Sequence, residues 1–262
     1  MIVVSDANVQ VPPTYLRNLV GCLMRPGVGL VSSVVCGSGE RTFGAALENA
    51  QLGTGVAPAI VTAHRVFGRP ITVGKSMAMR RADLDRVGGW EHVGGVLAED
   101  DCLGQRFHAL GYGVDLCLEP VHNRNVIASP TRTVERHARW AKMRRALIPR
   151  AFPFEPLLSP VAIAAMTAMV APSGLTARLV LCALALQTTG ALLCHTLLHA
   201  RRPFLLTAIE PIRTAAAFLA WCHAVASRRV CWRGNTFLVV RGSRLVPIAQ
   251  SADRPAAEVA RG

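Results

Sequence analysis

The stretch Ile2-Val3-Val4-Ser5-Asp6-Ala7-Asn8-Val9 decides how the rest of the chain is read. Ile2 to Val4 is β-branched with no polar break, the pattern of a short strand buried on both faces. It stops at Ser5-Asp6, which sets a carboxylate at a strand end. Open α/β sheets bind ligands at the carboxyl ends of their strands. Asp6 therefore reads as a functional acid, able to hold Mg²⁺ or Mn²⁺ against a diphosphate. It reads equally as an Asx turn ahead of Pro12-Pro13. Asn8, two residues on, could add an oxygen ligand or a hydrogen bond to a sugar.

Outward from this strand, helical and β-rich runs alternate. Thr14 to Met24 reads as a helix stopped by Pro26-Gly27. Val28 to Cys36 is β-rich and closes at a Gly37-Ser38-Gly39 turn. Phe43 to Leu52 has helical composition, whereas Ala57 to Phe67 supports no assignment. Ile71 to Met79 reads as a strand, and Arg81 to Val87 as a short helix ended by Gly88-Gly89. Glu99 to Leu110 is a helix with acids in its first turn, where the helix dipole favours them. Val114 to Leu118 is a strand, and Thr131 to Leu147 a long basic helix. The alternation predicts an α/β domain with a mostly parallel sheet over residues 1–150.

The composition divides the chain. Hydrophobic residues make up 51% and mean hydropathy is +0.33, with the apolar excess after Pro156. Residues 151–227 read as membrane or interfacial helices, and residues 228–262 as a basic cytoplasmic tail. Leu157 to Ala171 is uncharged but shorter than the ~20 residues a spanning helix needs. Leu179 to Leu198 is the best span, and Phe204 to Val225 is a poor one because it holds Glu210 and Arg213. Arginines flank both ends of this region (Arg144, Arg145 and Arg150; Arg228, Arg229 and Arg233), so both flanks are expected in the cytoplasm. That requires an even number of crossings: two spans and one interfacial or re-entrant helix. The expected location is the cell membrane, multi-pass, with residues 1–150 facing the cytoplasm. Val230 to Val240 reads as a hairpin turning at Gly234-Asn235, either at headgroup level or packed on the domain. Residues 251–262 are expected to be disordered.

Net charge is +13, and the only lysines are Lys75 and Lys142. Arginine suits phosphate and anionic lipid through its planar fork; a GC-rich genome also yields such a ratio. No basic stripe with interleaved aromatics is present, which reads against nucleic acid. None of the eight cysteines forms a C-x-x-C pair, so zinc and thioredoxin-like sites are not expected. Reduced thiols are expected instead. Residues 1–4 show no basic segment or cleavage site of a secretory leader. Gly74-Lys75-Ser76 does not complete a P-loop, because five residues and not four separate Gly68 from Gly74. His195 and His199 read as interfacial, not as metal ligands.

Two further motifs could carry chemistry. Glu99-Asp100-Asp101 follows the flexible Gly94-Gly95-Val96-Leu97 and could supply a base for an acceptor hydroxyl, since crowded carboxylates raise one member's pKa. Simple capping of the helix start explains the acids equally. Arg136-His137-Ala138-Arg139-Trp140 puts two guanidiniums on one helix face, fit to clamp a leaving diphosphate, with Trp140 free to stack on an acceptor. A basic face toward anionic lipid is the alternative. The working expectation is that residues 6, 100, 136 and 139 surround one cleft.

Taken in order, Asp6, Glu99-Asp100 and Arg136-x-x-Arg139-Trp140 resemble the ceramide glucosyltransferase family, relatives of the inverting family-two glycosyltransferases with a GT-A fold. Val73-Gly74-Lys75-Ser76-Met77, Arg80-Arg81-Ala82-Asp83-Leu84, Gly88-Gly89-Trp90 and Trp232-Arg233-Gly234 extend the likeness. The resemblance implies transfer of glucose from UDP-glucose to a lipid alcohol such as ceramide, with inversion and a divalent metal (Mg²⁺ or Mn²⁺). It implies Asp6 at the metal and diphosphate and Asp100 as base beside Glu99. It puts Arg136, Arg139 and Trp140 at the diphosphate and acceptor. Family members carry an anchor, nucleotide-binding strands and another Asp ahead of the Asp6 strand, so a GT-A domain incomplete at its N-terminus is expected. Asp6-Ala7-Asn8 also departs from Asp-x-Asp at its third position. Another sugar, a polyprenyl or hopanoid acceptor, or a non-catalytic remnant are the alternatives.

Overall fold

The computed structural model describes residues 1–232 and 234–248, of Trp232 the backbone alone. The expectations for Arg233 and for residues 251–262 lie outside the described residues. The first half alternates strands and helices: β1 (Ile2–Ser5), β2 (Val9–Gln10), α1 (Tyr15–Leu23), β3 (Val28–Ser38), α2 (Phe43–Ala50), α3 (Ala57–Arg65), β4 (Ser76–Met79), α4 (Arg81–Arg86), α5 (Glu99–Ala109), β5 (Gly113–Arg124) and α6 (Pro130–Leu147). One five-stranded sheet runs in the order β1-β4-β3-β5-β2.

The sheet is mixed, which corrects the expectation of a mostly parallel one. Only β3 and β5 pair in parallel; β1–β4, β3–β4 and β2–β5 are antiparallel. The cause lies between β3 and β4. A π-helical turn (Gln51–Val56) joins α2 and α3 into one long helical run. Gly68, Pro70 and Gly74 then keep residues 66–75 irregular, and this run carries the chain back so that β4 enters from the opposite end. Ile71 to Met79 is thus a strand only over Ser76–Met79. The stretch without an assignment, Ala57 onward, is α3.

Side chains alternate across the pleat. In β3, Val31 and Val35 pack with Tyr15, Leu19 and Leu23 of α1 on one face. Leu30 packs with Leu84 of α4 and with Leu103 and Phe107 of α5 on the other. Two buried faces explain why β3 shows no apolar–polar alternation; its central Ser32 and Ser33 are buried as well. The stack is helix, sheet, helix. β3 also runs on through Ser38, into the Gly37-Ser38-Gly39 turn expected from sequence, and ends before Gly39.

Gly104 lets α5 sit close to the irregular run. A Cβ there would stand 2.0 Å from the Thr72 hydroxyl oxygen. α6 begins at a Ser129 cap, whose hydroxyl accepts the Arg132 N–H at 3.2 Å, with Pro130 in the first turn. Thr133 of α6 donates to the Gly44 carbonyl of α2 at 2.8 Å, which fixes the two helices together.

Beyond α6 come α7 (Pro160–Val170), α8 (Gly174–Leu197), α9 (Pro203–Ala208) and α10 (Glu210–Ala226). Among the described residues one helix, α8, is long and apolar enough to cross a bilayer, and only 11% of its most apolar window is buried. α7 and the 3₁₀ segment before it (Phe152–Leu158) pass the same test only as one span, bent by 88°. α10 carries Glu210 and Arg213 as an ion pair at 2.7 Å, and Arg213 also donates to Gln51 at 2.7 Å. That polar network ties α10 to the helical run beside the sheet. A second small sheet, β6 (Arg229–Trp232), β7 (Asn235–Val239) and β8 (Leu245–Pro247), ends the described chain. Trp232 pairs with Asn235, so Asn235 belongs to the strand and not to the turn. This sheet docks on the loop ahead of α5: Leu97 N–H donates to the Ser243 carbonyl and Leu245 N–H to the Gly95 carbonyl, both at 2.8 Å.

Candidate functional site

Two acids from distant parts of the chain meet at the end of β1. The Asp6 backbone N–H donates to the Lys75 carbonyl at 3.3 Å, continuing the β1–β4 ladder by one residue. The Lys75 ammonium closes on the Asp6 carboxylate. Both side chains are partly exposed, so the pair is weak and exchangeable. One residue back, Gly74 N–H donates to Asp100 Oδ2 at 2.6 Å. A Cβ on Gly74 would stand 3.2 Å from that oxygen, so glycine permits the approach. Gly74-Lys75 is therefore a bridge, with its amide on Asp100 and its ammonium on Asp6.

Asp100 stands in the first turn of α5, and its Oδ1 accepts the Asp101 N–H at 2.8 Å. Burial pushes its carboxyl above the ordinary carboxylate range, and the negative charge of Asp6 adds to the rise; the Gly74 and Asp101 amides oppose it. Glu99 is raised by burial first, then by Asp100 and Asp6. Asp101 is raised by burial and by Asp100, with Gln105 and then Arg69 opposing. The sequence reading attributed such a rise to crowding; burial is the larger cause. A carboxylate held above its usual pKa is a stronger base once ionised.

Beside the acids opens a hollow of about 560 Å³, lined by Asp101, Gln105, the end of α6 with the residues after it, and three arginines: Arg69, Arg150 and Arg241. Acid and guanidinium thus face one space, which suits an anionic substrate whose reacting group lies near a base. Sequence reasoning missed Lys75 and these arginines as site residues. Lys75 is 69 residues from Asp6, and no local pattern marks the pairing. Arg150 was noted only as a flank.

The other candidates lie apart from this centre. Arg136 pairs with Glu48 of α2, a residue only 4% exposed, and neither Arg136 nor Arg139 lines the hollow. Arg139 is half-buried, and burial and the nearby Arg136 lower its pKa. Trp140 stacks on His137 one turn back, with ring centroids 5.6 Å apart. His137 is buried, and neither ring nitrogen has a hydrogen-bond partner among the described residues. Burial, then Arg136, hold its pKa down at about 4. The Asn8 carbonyl accepts the Arg124 N–H at 2.8 Å, which pins the β1–β2 turn to the end of β5.

Among the described residues no three His, Cys, Asp or Glu side chains converge to hold a metal ion. A Mg²⁺-like cation at Asp6 would meet one carboxylate, already paired with Lys75. Such ions are commonly held by one or two carboxylates, with substrate phosphates and water completing the shell.

The model of glycosyl transferase family 21 matches residues 1–245. Ceramide glucosyltransferase 3 of Caenorhabditis elegans is 24% identical over 265 residues, covering 94% of this chain and 55% of that protein. Ceramide glucosyltransferase 1 of the same organism is 24% identical over 158 residues, covering 60% of this chain and 34% of that protein. The chain spans about half the length of the first of these relatives and about a third of the second.

Proposed function

Since the chain belongs to glycosyl transferase family 21, we propose that it transfers glucose from UDP-glucose to a ceramide-like lipid alcohol, with inversion, at the cytoplasmic face of a membrane that α8 crosses. One observation carries the reading: Asp6, Lys75, the Gly74 amide and Asp100 meet beside an arginine-lined hollow, with Asp100 held at a raised pKa.

Asp100 is the base. Its carboxylate takes the proton of the acceptor hydroxyl as that oxygen attacks the anomeric carbon. The bond from that carbon to the UDP oxygen breaks, and its electron pair leaves with the diphosphate. Glu99 stands beside the base; burial first, then the charge of Asp6, keep the pKa of Asp100 up. Asp6 would hold the divalent cation, which would neutralise charge on the diphosphate. Lys75 balances Asp6 until substrate arrives. Arg136 and Trp140 on α6, with Arg139 between them, would reach the diphosphate and acceptor only by giving up their present partners, Glu48 for Arg136 and His137 for Trp140. Asp101 is the rival base, because of the three acids it alone lines the hollow.

The test is direct. The full chain in detergent, given UDP-glucose, ceramide and Mg²⁺ or Mn²⁺, should form glucosylceramide and release UDP. A panel of UDP-hexoses with ceramide, polyprenyl phosphate and hopanoid alcohol identifies the true pair if that one is silent. No turnover with any pair, together with no saturable UDP binding, would reject the transferase reading.

A further inference from the structure

A second charged hollow, of about 220 Å³, is lined by Gly39, Glu40, Arg41, Arg124, Arg201 and Arg202. Its four arginines come from three distant chain segments. The Arg41 N–H donates to the Val126 carbonyl at 2.9 Å and the Asn125 N–H to the Ser38 carbonyl at 3.0 Å, which draws Arg41 and Arg124 together. Arg201 and Arg202 arrive on the link after α8, where Ala200 packs with Ala46, Ala50 and Leu206. This is a convergence made by folding, not a local run of basic residues. None of the four guanidiniums has a side-chain hydrogen bond or ion pair among the described residues. The one carboxylate present, Glu40, is buried and accepts a hydrogen bond from Asn49 at 2.8 Å, so it leaves the hollow strongly positive. Four cations against one carboxylate around one space repel each other unless a further anion joins them.

The surroundings say which anion. Leu197 at the end of α8 is 66% exposed and Phe204, just past Arg202, is 76% exposed. The arginines thus sit between apolar side chains at the end of α8, a helix long and apolar enough to cross a bilayer, which is headgroup level. We propose that this hollow binds the phosphate of an anionic phospholipid headgroup. The inference rests on the bilayer placement of α8 in the reading above, and not on the transfer chemistry.

The experiment titrates the full chain, in non-ionic detergent, with dihexanoyl phosphatidylglycerol, dihexanoyl phosphatidylcholine, inorganic phosphate and UDP by calorimetry. Saturable, salt-weakened binding of the phosphatidylglycerol is expected. Arg124→Gln with Arg201→Gln should weaken it by roughly tenfold or more. Arg17→Gln with Arg81→Gln, on α1 and α4, should leave it unchanged, and thermal unfolding checks that both double variants are folded. Equal affinity for phosphatidylcholine or for inorganic phosphate overturns the lipid assignment. So does displacement by UDP, which would give these arginines to the donor, or loss of no affinity in the Arg124 and Arg201 variant. Glucosyl transfer measured on the same variants keeps the two readings separable: it should persist where headgroup binding is lost.

Discussion

The acid end of the sheet and the Arg136–Trp140 turn of α6 hold equally conspicuous motifs in opposite states. At the sheet, Asp6 and Asp100 are held by groups that can let go, a part-exposed lysine and two backbone amides. On α6, Arg136 is already neutralised by buried Glu48, and Trp140 is already stacked on buried His137. The first region is held by exchangeable partners; the second is satisfied by its own neighbours. A motif announces residue types, and only its partners decide whether those residues are available.

The widest separation should come from Asp100→Asn. Loss of a general base lowers kcat/KM for transfer by roughly 10²–10⁴-fold, with UDP affinity retained in a binding titration. A loss below tenfold would shift the base to Asp101. Next is Glu48→Gln, which strips Arg136 of its buried partner. Breaking one side of such a pair costs about 3 kcal/mol, read as a lower unfolding temperature in detergent.

A comparable effect should follow pH. His137 has its folded pKa held at about 4, below the ordinary value of 6.5. The unfolded chain therefore takes the proton first, and stability falls as pH drops from 6.5 towards 4. The loss is on the order of 3 kcal/mol at most, and His137→Gln should remove this part of the pH dependence. The smallest effect is expected from Gly104→Ala. Its new methyl group meets Thr72 and pushes α5 outward, at a cost of about 1–3 kcal/mol, and kcat should fall more than KM rises because Asp100 shifts away from Gly74.

Much of the fold was legible because its signals are local. β1 and β3 are β-branched runs, α6 opens at Ser129-Pro130, and α5 opens on its acids. What escaped depends on non-local pairing. Strand direction is not written in a strand's own residues, so the reversed β4 read as parallel. α3 was obscured because its apolar and polar residues are scattered and it continues from a π-helical turn. At the site, the acids were visible as types. Their neighbours were not: Lys75 reaches Asp6, and Glu48 reaches Arg136 across 88 residues. For the expected two crossings, the described residues supply α8 as one span and the pair bent by 88° ahead of it as either a broken span or a re-entrant loop.

The pH dependence of kcat/KM for UDP-glucose bears most directly on Asp100. A base must be ionised to accept a proton, so the rate should fall as pH drops through a pKa lying above the ordinary carboxylate range. That acid limb should vanish from the residual activity of Asp100→Asn and persist in Asp101→Asn. An acid limb unchanged in Asp100→Asn, or one that disappears only with Asp101, would contradict the assignment.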